Sequence, residues 1–194
     1  MIVQSLTVTD SPPSISSVSP SSTTAGAPGF ALAVNGSNFQ SGTSVVHWDG
    51  SDLATTFLSP TQLTAAIPAA NVATGGLASV TVVDSATGSS RPATFTINNP
   101  LPTMTGLIPV STTAHGAQLA LTVSGTNFVN DSTVQWNGTS LTTFFVSPTQ
   151  LRATIPAVRM ATAGIVALTV FNPPPGGGTS NAQTFTIDRS SRHR

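Results

Sequence analysis

SPTQL stands at residues 59–63 and again at residues 147–151. A chain of 194 residues that spells the same five letters twice, 88 positions apart, invites a search for a wider repeat. The correspondence runs the length of the chain. PSISSVSP at 13–20 matches PTMTGLIP at 102–109, and NGSNF at 35–39 matches SGTNF at 124–128. VHWDG at 46–50 matches VQWNG at 134–138, AIPA at 66–69 matches TIPA at 154–157, and ATFTI at 93–97 matches QTFTI at 183–187. The offset drifts only between 88 and 90, so length changes fall between the matched blocks, as loops allow. A period near 90 exceeds a solenoid unit and suits a small domain that closes its own core.

Within each copy apolar residues alternate with small polar ones, the mark of a half-buried strand. Phe30, Leu32 and Val34 share a face, as do Leu119, Leu121 and Val123. Val46 and Trp48, with Val134 and Trp136, lead into Asp49-Gly50 and Asn137-Gly138, dipeptides that supply the positive φ of a tight hairpin. The chain returns through Leu53 to Leu58, or Leu141 to Val146. Leu63, Ala65 and Ile67, and Leu151, Ala153 and Ile155, form further inward rows that stop at Pro68 and Pro156, since proline cannot donate to a ladder. NVATGG and VRMATAG are expected to form one helical turn each. Strands follow over 79–83 and 167–171, then over 93–97 and 184–187. The pattern predicts an all-β chain of two antiparallel two-sheet sandwiches with about seven short strands each. Phe39, Trp48, Phe57 and Phe95, and Phe128, Trp136, Phe145 and Phe185, are expected to fill the two cores.

Composition agrees. Charge is scarce and balanced: six Arg, six Asp, no Lys, no Glu and a net charge of zero. Ser and Thr make up over a quarter of the chain. Without a basic field there is no general attraction for nucleic acid or an anionic membrane, so neither nucleic-acid binding nor membrane insertion is expected. No stretch approaches the roughly 20 apolar residues needed to span a bilayer. The absence of Cys excludes disulfides and thiolate metal sites. The opening MIVQSLTVTD lacks the basic and apolar regions of a secretory signal.

Taken together, P-x-I-x-x-V-x-P, N-G-x-N-F, W-D-G, S-P-T-Q-L-T-A-x-I-P and A-T-F-T-I resemble the IPT/TIG domain, the immunoglobulin-like fold shared by plexins and transcription factors. The likeness covers 13–97 and 102–187. N-P-P-P-G-G-G-T-S-N at 172–181 resembles a hairpin of bacterial secreted proteins built from tandem copies. The resemblance implies spacer modules of cell-surface proteins, accessory domains beside polysaccharide-processing enzymes, or DNA-contacting domains. The lack of Lys and the Ser, Thr and Gly-rich loops argue against the last.

The expected organisation is a first repeat at 13–98, a short linker at 99–101, a second repeat at 102–188 and a flexible tail at 189–194. Residues 1–12 read as the last strand of a preceding truncated repeat or an N-terminal extension, with Leu6 and Val8 aligned on Phe95 and Ile97. The two prolines of Asn98-Asn99-Pro100-Leu101-Pro102 stiffen the join, so the sandwiches are expected end to end.

Candidate chemistry is sparse. His47 and Asp49 flank Trp48, but Gln135 and Asn137 replace them in the second copy, and a nucleophile needs a positioned base and an oxyanion hole. Asp84, Asp131, Asn130 and Asn98–Asn99 offer oxygens for calcium, yet they are isolated and suit turns better. Trp48 and Trp136 are either sugar-stacking platforms or core; their parity with Val46 and Val134 favours core. Asn35-Gly-Ser, Asn130-Asp-Ser and Asn137-Gly-Thr fit the glycosylation sequon but read as turn chemistry. Val83 and Phe171 lie on the parity opposite the core rows. No catalytic, cofactor-binding or metal residue is assigned, and no cofactor is expected. The expected role is a non-catalytic structural, spacer or adhesion module of a secreted or cell-surface bacterial protein. Its partners would be other domains of a longer parent chain, and a protein or polysaccharide ligand. The alternative is a carbohydrate-binding accessory region of a secreted polysaccharide-processing enzyme.

Overall fold

The computed structural model describes residues 10–190, so the strand expected over residues 4–9 lies outside the described residues. The chain divides into two compact units, Met1–Ile97 and Asn98–Arg194. In the first, the strands are β1 (Ser14–Ser19), β2 (Ser22–Thr24), β3 (Phe30–Ser37), β4 (Ser44–Trp48), β5 (Ser51–Asp52), β6 (Thr55–Ser59), β7 (Gln62–Ile67), β8 (Gly76–Asp84), β9 (Gly88–Ser89) and β10 (Ala93–Asn98). The second repeats them as β11 (Thr103–Ile108), β12 (Ser111–Thr113), β13 (Leu119–Thr126), β14 (Thr133–Trp136), β15 (Thr139–Ser140), β16 (Thr142–Ser147), β17 (Gln150–Ile155), β18 (Gly164–Asn172), β19 (Gly178–Thr179) and β20 (Gln183–Asp188). The all-β fold is as the alternation predicts.

Each unit is a sandwich of two sheets. One has the order β1-β3-β7-β6, or β11-β13-β17-β16. The other runs β2-β10-β8-β4-β5 with β9 beside β8, or β12-β20-β18-β14-β15 with β19 beside β18. The count exceeds seven because the first segment of each unit serves both sheets, switching at Pro20 or Pro109, and because two-residue pairs such as β5 and β9 are too short to alternate visibly. A second departure concerns direction. β12 runs parallel to β20, with Ser111, Thr112 and Thr113 opposite Thr186, Ile187 and Asp188, whereas antiparallel pairing was expected throughout. The helical turns form as 3-10 turns at Ala69–Val72 and Ala157–Met160, directly after the strand-ending prolines and starting one or two residues earlier than expected.

The two cores are separate. Leu32, Val34, Leu63, Ala65 and Ile67 from one sheet face Val46, Trp48, Val80, Val82, Phe95 and Ile97 from the other. Leu121, Val123, Leu151, Ala153 and Ile155 face Val134, Trp136, Leu168, Val170, Phe185 and Ile187 in the second unit. Phe57 and Phe145 are only half-buried, against expectation, because they sit on β6 and β16 at the sheet edge.

The repeated SPTQL now has a physical reading. It is the β6–β7 turn, with Pro60 and Thr61 between the paired Ser59 and Gln62. Ser59 Oγ accepts from the Thr61 amide at 3.2 Å and tightens the bend. The carbonyls it exposes hold the neighbouring G-x-N-F loop. Phe39 N–H donates to Pro60 O at 3.0 Å and Gly36 N–H to Thr61 O at 3.0 Å. Phe128 and Gly125 make the same bonds to Pro148 and Thr149. Leu63 and Leu151, the last letters, point into the cores with no exposure. The motif is spelled twice because it closes a hairpin and anchors the buried Phe39 or Phe128 in each unit.

Candidate functional site

The hairpin carrying Trp48 and Trp136 is the densest group of candidate residues. Alternation along β4 and β14 sends both tryptophans inward, and they are 4% and 5% exposed. Trp48 packs on Phe95 with ring centroids 5.1 Å apart, and Trp136 on Phe185 at 5.8 Å. They are core residues, and no indole face is offered to a sugar. Asp49 and Asn137 take φ of 49° and 46°, followed by Gly50 and Gly138 at 84° and 81°, the two positive values that a type I′ turn requires. Each side chain then braces the turn against β8 or β18. Asp49 Oδ1 accepts from Ser79 N–H at 2.7 Å, and Asn137 Oδ1 accepts from Ala167 N–H at 3.0 Å.

His47 and Asp49 therefore do not act together. His47 points to the opposite face from Trp48, and its Nε2 lies 3.1 Å from Oδ1 of the exposed Asp52, across the β4–β5 hairpin. In the second unit Gln135 takes that place and accepts from Thr169 Oγ1 at 3.2 Å. The pair is a cross-strand surface contact, worth little in water.

The oxygen-bearing residues separate in the same way. Asp84 is buried at the end of β8 and accepts five bonds. Thr43 Oγ1 at 2.5 Å and Ser44 Oγ at 3.1 Å reach one carboxylate oxygen; the amides of Ala86 and Thr87 and the Thr87 hydroxyl reach the other at 3.0, 3.1 and 3.2 Å. The Thr43 hydroxyl is the main cause that lowers its pKa to about 2; burial opposes it, and the Ala86, Ser44 and Thr87 donors add to the lowering. Its lone pairs are spent on protein donors. Asn172 holds the equivalent place in the second unit, where the loop is longer. Its Oδ1 accepts from Ser132 Oγ at 2.6 Å, and its Nδ2 donates to the carbonyls of Pro100 and Asn127 at 2.8 and 2.7 Å. An amide suits this place because two carbonyls must be met by a donor, which a carboxylate lacks. Asn99 is held by the same loop, donating from its amide to Pro175 O at 2.7 Å and from Nδ2 to Pro173 O at 2.9 Å. Asp131 and Asn130 are exposed. Among the described residues no group of three His, Cys, Asp or Glu converges on one point.

Several polar residues that sequence reasoning passed over prove structural. Thr55 and Thr143 accept from the amides of Val46 and Val134 at 2.9 and 3.0 Å while donating to the carbonyls of Leu53 and Leu141. Ser90 and Ser180 do the same between Val82 and Arg91, and between Val170 and Asn181. Their recurrence in both copies was the available signal. Every buried side-chain nitrogen and oxygen among the described residues has a partner. Asn35 is tied to Ser17 and Gln62. Val83 and Phe171 are half-buried; the freely exposed apolar side chains include Leu77, Phe144, Val146 and Ile165. An open depression in the second unit is lined by Ala114, His115, Ala161, Thr162, Ala163 and Arg189. No helix among the described residues is long and apolar enough to cross a membrane.

Comparison with curated proteins gave no match. Among solved structures, the chain is similar to the plexin A4 extracellular region (14% identity, 90% of this chain, 18% of that one, TM-score 0.38). It is also similar to SGBP-B of the Bacteroides ovatus mixed-linkage glucan utilization locus, solved with a mixed-linkage heptasaccharide (18%, 84% and 42%, TM-score 0.35). A third is the gamma-CGTase of alkalophilic Bacillus clarkii (14%, 95% and 28%, TM-score 0.41). The chain spans less than half the length of each, and these likenesses add nothing to the family match. The IPT/TIG domain family matches residues 13–97 and 102–187, nearly the whole described chain. With the two sandwiches and their shared motifs, this establishes that the chain belongs to the IPT/TIG domain family and carries two of its domains in tandem.

Proposed function

We propose that this chain is a non-catalytic spacer or adhesion segment of a longer secreted or cell-surface bacterial protein, and that each domain is built to carry tension. One observation supports this above the others. In the second unit β12, near the start, lies beside β20, at the end, and runs parallel to it. Force applied at the two ends of that unit draws parallel neighbours past each other in shear, loading their hydrogen bonds together rather than one by one. Thr186 N–H to Val110 O at 3.1 Å and Ala114 N–H to Asp188 O at 2.8 Å belong to that set. In the first unit β2 is the neighbour of β10, with Thr96 N–H to Ser21 O at 3.1 Å. The engagement of Asp49 and Asp84 in turns, of Trp48 and Trp136 in the core and of His47 in a cross-strand surface pair supports a scaffold over an enzyme.

Single-molecule pulling tests the reading. Two unfolding events are expected, each releasing roughly 300 Å of chain. Thr186→Pro or Ala114→Pro, which removes one shear-loaded donor, should lower the force of one event only. Unchanged forces in both variants would contradict the tension-bearing role. A glycan array of the intact chain checks the alternative: retention by a polysaccharide would replace the spacer reading with an accessory-binding one.

A further inference from the structure

The sequence holds two Asn-Gly steps, and the fold treats them in opposite ways. Asn35-Gly36 lies inside β3. Gly36 N–H is held by Thr61 O at 3.0 Å, and the Asn35 amide is bound at both ends by Ser17 and Gln62. Asn137-Gly138 forms the exposed β14–β15 turn. Gly138 N–H has no backbone acceptor among the described residues, and nothing lies within 4 Å of where its Cβ would be. The Asn137 amide oxygen accepts from Ala167 N–H at 3.0 Å, a donor aimed at the oxygen on which negative charge grows when its carbonyl carbon is attacked.

We propose that Asn137-Gly138 is a self-modifying site that converts by backbone-assisted deamidation to the aspartate the first unit already carries at Asp49. In the first step the deprotonated amide nitrogen of Gly138 attacks Cγ of Asn137. The N–Cγ bond forms, the Cγ–Nδ2 bond breaks, and ammonia leaves with the proton lost from the Gly138 amide, closing a succinimide ring. In the second, water opens the ring. Attack at Cγ gives aspartate; attack at the backbone carbonyl gives isoaspartate, with one extra methylene in the main chain.

The first unit shows that the aspartate product fits the turn. Asp49 keeps positive φ, donates its amide to Ser79 O at 2.9 Å and accepts from Ser79 N–H at 2.7 Å, the bonds that Asn137 makes with Ala167. Isoaspartate lengthens the two-residue turn and does not match the Trp136–Thr139 pair that flanks it. Conversion also adds one negative charge to a chain of net charge zero.

The test is timed incubation of the full chain in mildly alkaline buffer, followed by peptide mass mapping. The peptide containing Asn137 should gain the mass of an amide-to-acid exchange at least about tenfold faster than the peptide containing Asn35, whose nitrogen is released only by opening the sheet. In urea the two rates should converge. Gly138→Ala should slow conversion, and Asn137→Asp should abolish the mass change while leaving the circular dichroism and thermal midpoint of the chain unaltered. An unmodified Asn137, or equal rates at both steps in the folded chain, would overturn the proposal, and so would a marked loss of stability in Asn137→Asp.

Discussion

Asp84 and Asn172 show how one residue sets the chemistry of a turn. Both are buried at the same place in their units, but one is a saturated acceptor and the other a donor to two carbonyls. Only Asp84 titrates. Its pKa is lowered from 3.8 to about 2 in the folded state, chiefly by the Thr43 hydroxyl. The carboxylate therefore contributes stability above pH 3.8 that is lost as the pH falls towards 2. The contribution is on the order of 1–2 kcal/mol. Acid should thus weaken the first unit more than the second in urea unfolding followed by fluorescence of Trp48 and Trp136, and Asp84→Asn should remove the difference. A first unit that stays more acid-sensitive than the second in that variant would contradict this assignment. Phe95 and Phe185 are fully buried against Trp48 and Trp136. Phe95→Ala should cost about 3–5 kcal/mol by opening a cavity; a loss below about 1 kcal/mol would place the ring outside the core.

At the level of elements, the G-x-N-F loop and the S-P-T-Q-L turn form one structural unit. A Cβ on Gly36 would overlap the Ser14 carbonyl and the Phe39 ring, and one on Gly125 the Thr103 carbonyl and the Phe128 ring. Asn38 and Asn127 sit at φ 61° and donate from Nδ2 to the carbonyls of Pro12 and Leu101. Gly36→Ala and Gly125→Ala should each destabilise their own unit by about 1–3 kcal/mol, seen as a lower midpoint in urea for one transition only. The inward rows, the Asp-Gly and Asn-Gly turns and the strand-ending prolines were legible because each is a local pattern. The sheet order was not, since the switch of β1 to β2 across the sandwich, and the parallel β12–β20 pair, join segments far apart in sequence. The partner of Asp84 was hidden for the same reason. Thr43 stands 41 residues from Asp84, and no spacing rule links the two, whereas Asp52 faces His47 by the register of the two-residue Asp49-Gly50 turn. Trp48 and Trp136 were resolved by parity alone, because burial on one face of a two-sheet sandwich follows alternation. Phe57 and Phe145 pack against the cores but are only half-buried, because parity does not reveal which strand lies at an edge.

For the whole molecule, the essential feature is that each unit closes a core of its own. The buried clusters of the two units share no residue, and each draws on both sheets of one sandwich. With no disulfide and little charge, apolar burial and the satisfied ladder must supply most of the stability of each. The most direct test is to produce Met1–Ile97 and Asn98–Arg194 as separate chains and record their urea unfolding beside that of the intact protein. The account predicts a cooperative transition in each half, with the parent curve reproduced closely by the two together. A half that fails to fold alone, or a parent that unfolds in one transition far more stable than either half, would contradict it.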